Sequence, residues 1–534
     1  MSTSLSGARR ARELAELASG REVDLLVVGL GVTGAGVALD AAARGLRVAA
    51  LDAHDLGFGT SRWSSKLVHG GLRYLAAGHL GLAYECAAER HILLRRTAPH
   101  LVSALPFVLP LTPLVSPART ALSRVGFAAA DALRAVAGTP AAALPRARRI
   151  GAAEVLRLLP AVRRAGLRGG LVQWDGQLVD DVRLVVALAR TAAGRGARIL
   201  TRCRVEAVDG GTVAVLDTLT GSRHAIRARA VVNATGVWAQ HLDPTVRLRP
   251  SRGTHLVLRA EALGHPAAAL VVPVPGERNR FVFAVPQPDG LVYLGLTDEA
   301  ADGPVPDVPE PTTAEIRFLL ETLNATLGAA LTDADVVGAF AGLRPLLASR
   351  AGGSGGSGGS AGADGSAGAD GSGGRAVRTA DLSRRHLVHT SAAGITTVVG
   401  GKLTTYRRMA RDAVDAAVAH AGLPAAACRT AWLPLVGAAP ASVLARVPAP
   451  ARLVARYGAE APAVLALAQG DPELLVPIAD GTEVTGAELL WAVRHEGALD
   501  VDDLLDRRTR IGLRPVDRAR ALAAARGVFA RQEP

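Results

Sequence analysis

Three stretches of the 534-residue chain concentrate residue types that do chemistry. Gly29-Leu30-Gly31-Val32-Thr33-Gly34 follows an apolar run and opens a helical pattern. Glycines at that spacing permit a tight turn and let a pyrophosphate approach the helix N-terminus, whose amides and dipole favour anions. Asp52, 18 residues beyond Gly34 at the end of the next apolar run, can accept from both hydroxyls of a ribose. Ser64-Ser65-Lys66-Leu67-Val68-His69-Gly70-Gly71-Leu72-Arg73-Tyr74 brings hydroxyls, an ammonium, an imidazole, a glycine pair and a guanidinium into 11 residues. Its glycines allow backbone to lie against a flat ring, and Arg73 can fork onto a phosphate or carboxylate. Gly400-Gly401-Lys402-Leu403-Thr404-Thr405-Tyr406-Arg407 reads as a glycine pair followed by a helix, whose N-terminal amides can hold a negative locus while Lys402 reaches a substrate anion. It is not a phosphate-cradling Walker A loop, because the GxxxxGK[ST] spacing is not met.

Weaker signals lie between these. Val231-Val232-Asn233-Ala234-Thr235-Gly236 is a buried-strand pattern ending in small residues, a second contact of the kind FAD folds press against the same pyrophosphate. An ordinary strand-to-turn junction would read the same way. Arg344 precedes Pro345 and is therefore extended or in a turn; taken alone it is a surface arginine. His255 opens an alternating run, where a core or edge histidine is the commoner reading.

The elements that must position these groups begin with a strand at Asp24 to Val28, a helix at Gly34 to Arg44 and a second strand at Arg47 to Leu51, a βαβ opening. A helical stretch from about Gly81 to Thr97 leads into a proline-punctuated segment and then an Ala/Arg-rich helical region to about Leu144. Helix Asp181 to Ala193 and strands Arg198 to Thr201, Val205 to Asp209 and Ala230 to Asn233 return to the first sheet, while alternation between about 249 and 300 predicts an antiparallel sheet. Gly352 to Gly374 is almost wholly Gly, Ser, Ala and Asp, a composition that buries little apolar area and is expected to form a surface loop. Beyond about 430 the periodicity is helical, and the first 20 residues suit a short amphipathic helix or a frayed terminus. The expected organisation is an N-terminal extension (1–20), a dinucleotide domain in three parts (21–98, 171–248 and 336–425), a substrate domain in two (99–170 and 249–335) and a helical C-terminal domain (430–534).

Composition narrows the function classes. Lys and Arg total 61 against 48 Asp and Glu, a formal charge of +13, yet only Lys66 and Lys402 are lysines. A chain that writes Arg almost wherever a cation serves makes these two candidates for sites needing a compact ammonium. The arginines are scattered and aromatics are only 3% of residues, so no nucleic-acid partner is expected. Cys86, Cys203 and Cys428 form no CxxC pair, which excludes a disulfide framework, a zinc knuckle and an iron–sulfur cluster. The longest proline-free apolar run, Leu25 to Leu39, is short and glycine-rich for a membrane span, so the expected location is the cytoplasm or its membrane surface.

The strings GLGVTGAG, SSKLVHGGLRYL, LVDDVRLV, VVNATGVW, RGTHLVL, GLRPL and GGKLTTYR, in this order, resemble the FAD-dependent glycerol-3-phosphate dehydrogenases over about residues 21 to 410. SSKLVHGGLRYL and GGKLTTYR together mark that family and its oxidase relatives, whereas GxGxxG alone marks only a dinucleotide fold. The resemblance implies an α/β fold: an FAD-binding Rossmann-like domain of glutathione-reductase/D-amino-acid-oxidase type, an inserted antiparallel-sheet substrate domain and an all-helical C-terminal domain. It makes Gly29, Gly31, Gly34 and Asp52 FAD contacts, with Ser64, Ser65, Lys66, Val205, Ala234, Gly236, Lys402, Leu403 and Thr404 lining the cofactor. Arg73, Tyr74, His255, Arg344 and Lys402 become substrate-site groups, His255, Arg344 and Lys402 the catalytic ones, and Arg384 a weaker candidate beside the Gly/Ser insert. Asp52 stands where many relatives carry Glu.

The implied reaction oxidises sn-glycerol 3-phosphate to dihydroxyacetone phosphate, which needs cations for the phosphate, a hydride acceptor and a group to take the hydroxyl proton. Arg73 and Lys402 suit the phosphate, and His255 or Arg344 the hydroxyl. In the dehydrogenases the electrons pass to a membrane quinone at the inner face of the cell membrane; in the oxidase relatives they pass to dioxygen. An amine or amino-acid oxidase on the same fold is a further alternative. The resemblance implies no metal and admits a homodimer.

Overall fold

The structure, a computed structural model, describes residues 1–76, 78–277, 280–348 and 386–531, and the Arg73 side chain, Arg384 and the Gly/Ser stretch lie outside what is described. Val23–Val28 opens the first sheet, with Leu25 and Val27 in one core and Leu26 and Val28 in the other, as a strand buried on both faces requires. It pairs in parallel with Arg223–Asn233 on one side and Val48–Leu51 on the other, which in turn pairs with Arg198–Leu200. Ile395–Val399 joins Arg223–Asn233 in parallel, and Leu387–Thr390 closes that edge. Helices Asp181–Gly194 and Tyr406–Ala421 pack against helix Val32–Ala43 over one face. On the opposite core, Leu14 and Leu17 of helix Gly7–Ala18 are buried beside the hairpin of Cys203–Asp209 and Thr212–Asp217. The N-terminal helix is thus docked rather than frayed: Ser6 caps it, and Arg10 pairs with Asp217 at 2.6 Å.

The second sheet is mainly antiparallel and includes Ser251–Arg259, Ala269–Pro273, Phe281–Pro286 and Leu291–Gly295, in the region where alternation predicted it. Its outer face buries Leu319 and Leu323 of helix Thr313–Asn324, whose start is a capping box of Thr312 and Glu315. The structure departs from expectation in two ways. The proline-punctuated segment contains a nine-residue strand, Val102–Pro110, paired along its length with Gly170–Leu178. Its other flank is paired only at Phe107 and Val108, so prolines that lack a donor are tolerated there. Val336–Arg344, placed by sequence in the dinucleotide domain, instead runs beside Ser251–Arg259 in the second sheet, as does the short Leu67–Val68 strand against Gly170–Leu178.

The C-terminal residues form helices Ala451–Tyr457, Ala461–Ala466, Gly486–His495 and Pro515–Ala530 around their own core of Leu453, Leu489, Trp491 and Ala521. No helix among the described residues is long and apolar enough to cross a membrane.

Candidate active site

A cavity of about 1970 Å³ runs between the two sheets. One end is built by the first glycine turn. A Cβ on Gly34 would lie 1.8 Å from the Gly29 carbonyl oxygen, and one on Gly29 would lie 2.7 Å from that of Ala234. The turn therefore closes only with glycine at both positions, and Gly29 also needs its φ of +98°. Gly29, Gly31, Ala234 and Gly236 line the cavity; Gly34 does not, because it packs the helix onto the turn.

Asp52 closes that end, its Oδ2 accepting from the Leu30 N–H at 2.6 Å and its Oδ1 from the His54 N–H at 2.8 Å. Burial pushes its carboxyl up to about 6. Val205 borders the same region.

The middle of the cavity is framed by Ser64 and Ser65 from one loop and Gly400, Gly401, Lys402, Leu403 and Thr404 from another. Gly400 and Gly401 adopt φ of +83° and +66°, turning the chain from strand Ile395–Val399 into helix Tyr406–Ala421. Lys402 points its Nζ over the Tyr74 ring, 4.0 Å from the centroid, and Tyr74 lies buried behind it.

His255 and Arg344 come from the second sheet, four residues apart along the paired strands: Ser251 faces Arg344 and His255 faces Phe340. The His255 ring stacks on Phe340 with centroids 4.8 Å apart, and Nε2 lies 2.8 Å from the Ser65 Oγ. Burial, helped by Lys66 and Arg344, pushes its pKa down to about 3, so the imidazole is neutral at working pH. Arg344 donates to the Thr297 carbonyl at 3.2 Å and the Ser251 Oγ at 3.2 Å, with Asp298 at 3.4 Å. It passes so close over Gly253 that a Cβ there would lie 2.1 Å from Nη2.

Lys66 is placed differently from the expectation that it lines the cofactor. Its Nζ turns inward to Asp181 at 2.6 Å and donates to the Arg62 carbonyl at 3.0 Å, and it is buried and absent from the cavity wall. Burial pushes this amine down to about 8, and the compact ammonium serves a pocket inside the loop rather than a ligand.

Two comparisons bear on identity. The family described as FAD dependent oxidoreductase matches residues 24–407, and the C-terminal domain of alpha-glycerophosphate oxidase matches 428–531. Glycerol-3-phosphate dehydrogenase 1 of Mycobacterium bovis is 54% identical over 536 residues, covering 99% of each chain. The chain belongs to the FAD-dependent glycerol-3-phosphate dehydrogenase family. A mitochondrial glycerol-3-phosphate dehydrogenase of Arabidopsis thaliana is 33% identical, with 93% of this chain and 80% of that one covered. Among solved structures, a glycerol-3-phosphate dehydrogenase from Bacillus halodurans complexed with FAD superposes with a TM-score of 0.73 at 25% identity, covering 98% of this chain and 94% of that one.

The residues present fit the cofactor of this dehydrogenase family. The Cβ-free turn admits a pyrophosphate beside the Gly31-Val32 helix start, the buried Asp52 suits a ribose, and the Gly400-Gly401 turn leaves room for a flat ring.

The dehydrogenase cavity holds one constellation that sequence reasoning missed. His69, 40% exposed, lines it, and its Nδ1 lies 3.2 Å from the buried Asp175 carboxylate, which Arg90 also grips. Against the burial that would raise it, Arg90 and His69 together hold Asp175 down at about 2. The signal was a lone acid in the strand text Gly-Leu-Val-Gln-Trp-Asp-Gly, 106 residues from its histidine.

Proposed function

We propose that the protein oxidises sn-glycerol 3-phosphate at C2 to dihydroxyacetone phosphate and passes the electrons to a quinone of the cell membrane, working at its inner face. The observation that carries this reading is the meeting of Lys402 and Arg344 with two histidines, His255 and His69, in the cavity that holds the glycine turn and Asp52. Lys402 and Arg344 hold the substrate phosphate, one as a compact cation and the other as a fork braced by Ser251, Thr297 and Asp298. Neutral His255, steadied by Ser65 and Phe340, positions the hydroxyl without competing for its proton. His69 is the proposed base: with Nδ1–H donating to Asp175, Nε2 carries the lone pair that takes the proton. FAD supplies the acceptor for the hydride that leaves C2.

An anaerobic visible spectrum before and after adding sn-glycerol 3-phosphate tests this. Bleaching by that substrate and silence with glycerol and glycine are expected, and His69→Asn should slow bleaching by about 10²- to 10⁴-fold. A yellow protein that does not bleach would overturn the substrate assignment. The match of residues 428–531 to an oxidase domain motivates a second reading, with dioxygen as acceptor. Stoichiometric peroxide during aerobic turnover would establish it in place of quinone.

A further inference from the structure

Helix Pro117–Val136 is twenty residues long, yet Arg134 is its only buried residue. It is held through the partly buried Phe127 and Leu133, which pack against neighbouring cores, and leaves the rest of its apolar residues uncovered. One side of it borders the cavity through Arg119, Leu122, Val125 and Phe127. Leu122, 66% exposed, and Val125, 68%, therefore stand at the cavity mouth, and beyond it Val136 is 71% exposed, with Leu114 just ahead of the Ser116 cap also exposed. Helix Leu80–Ile92 packs beside it and exposes Leu80 and Tyr84. Six of the fourteen large apolar side chains exposed among the described residues therefore sit on this one edge of the molecule.

Charge distinguishes the occupants that could cover such an edge. Residues 112–150 contain six arginines and a single carboxylate, Asp131, which pairs with Arg134. Arg124, Arg146 and Arg149 are exposed. A second copy meeting this edge about a two-fold axis would set arginines against arginines. An anionic bilayer complements both the apolar row and the arginines, as it does for helices that lie in the interfacial plane.

The interior beneath the helix continues the argument. From His69 the cavity wall runs through Phe107, 6.4 Å between ring centroids, to Phe283, edge-on at 5.9 Å, and Arg119 lies over Phe281 at 5.0 Å. An aromatic passage thus leads from the proposed base to the apolar edge. A water-soluble acceptor would have no need of such a lining, whereas a lipid-dissolved ring would partition into it.

We propose that helix Pro117–Val136, with Leu114 and the Leu80/Tyr84 edge, is the surface that docks on an anionic lipid bilayer and turns the cavity mouth toward the membrane. This rests on the quinone-linked reading above, in which oxidation of one alcohol to a ketone releases two electrons and two protons and one quinone takes up both pairs to become quinol.

The test uses the full-length FAD-loaded enzyme and vesicles of phosphatidylglycerol and phosphatidylcholine carrying a long-chain quinone. Leu114→Glu/Val136→Glu alters the apolar edge at positions outside the cavity wall. The parent should float with the vesicles and the double variant at least tenfold less; turnover with a water-soluble dye should be unchanged while turnover with embedded quinone falls at least tenfold. Arg124→Glu/Arg146→Glu should weaken flotation on anionic vesicles in low salt. If both variants float as the parent does, the docking surface is elsewhere and the proposal falls, while undiminished quinone reduction would leave the reaction reading standing. If the parent does not float and the apolar variant converts a dimer to a monomer, the edge joins two copies and the proposal is overturned. If flotation depends on this edge but embedded quinone is never reduced, the docking surface stands and the quinone-linked reading fails.

Discussion

At the scale of single residues, burial decides which groups carry charge in the cavity. Asp52 ends a strand buried on both faces, and loss of water raises its carboxyl to about 6. In the free protein it is therefore ionised only above that pH. Ribose hydroxyls donate best to the anion, so FAD affinity should be full at pH 7.5 and weaken by up to tenfold per unit below about 6. Titrating apoprotein with FAD by fluorescence at pH 7.5 and pH 5 checks the sign. Asp52→Asn should bind weakly with little dependence on pH, and a parent whose affinity is equal at both values would remove Asp52 from the ribose. His255 shows the same force acting on a base: buried against Phe340 and near two cations, it stays neutral.

At the scale of elements, the C-terminal helices reach into the cofactor loop. Asp55 lies three residues past Asp52 and four before Gly59, which lines the cavity. It is fully buried and held by Arg508 through Nη1 at 2.7 Å and Nη2 at 2.8 Å, with Arg507 Nε at 2.7 Å. Arg510 extends the clamp by donating to the Arg62 carbonyl at 2.6 Å. Removing one partner of a buried ion pair costs about 3–5 kcal/mol, because the other charge stays buried. Arg508→Met should therefore lower the free energy of unfolding by about that amount and speed FAD release. Urea unfolding and the rate of flavin fluorescence gain on dilution measure the two effects. A variant that loses stability yet releases FAD at the parental rate would confine the clamp to a structural role.

At the scale of the whole molecule, stability in acid sums opposing groups. His100 and His255 titrate near 3 in the folded state because of burial, so between about pH 6.5 and 3 the unfolded chain binds protons that the folded one does not. Each imidazole then costs about 1.4 kcal/mol per pH unit as pH falls. Asp52 and Asp503, both raised to about 6 by burial, work the other way between about 6 and 3.8, since their folded carboxyls are the better proton acceptors there. The two histidines outweigh them by a small margin. Below about pH 4, Asp175 and Glu496, each held near 2 by arginine partners despite burial, add their own loss. Unfolding of the apoprotein in urea should show stability falling by about 1 kcal/mol from pH 6.5 to 5 and more steeply below 4. A stability that rises on acidification to pH 5 would contradict this balance.

Local chemistry made much of this protein legible in its sequence. Glycine spacing before a helix, a carboxylate ending the next strand and the two lysine-bearing strings depend on neighbours within a dozen or two residues, so the βαβ opening, the cofactor class and several of the cavity-lining residues could be read from the chain. Period-two text likewise announced the strands around His255. What tertiary structure alone decided are pairings between distant segments. Lys66 looked like a ligand-facing ammonium until Asp181, far along the chain, drew it inward. Val102–Pro110 became a strand because Gly170–Leu178 offered it a partner, despite its prolines. The His69–Asp175 pair, the Asp55 clamp and the face on which an apolar helix lies bare have no local pattern, because each exists only where long-range packing sets the dielectric, the partner and the exposure.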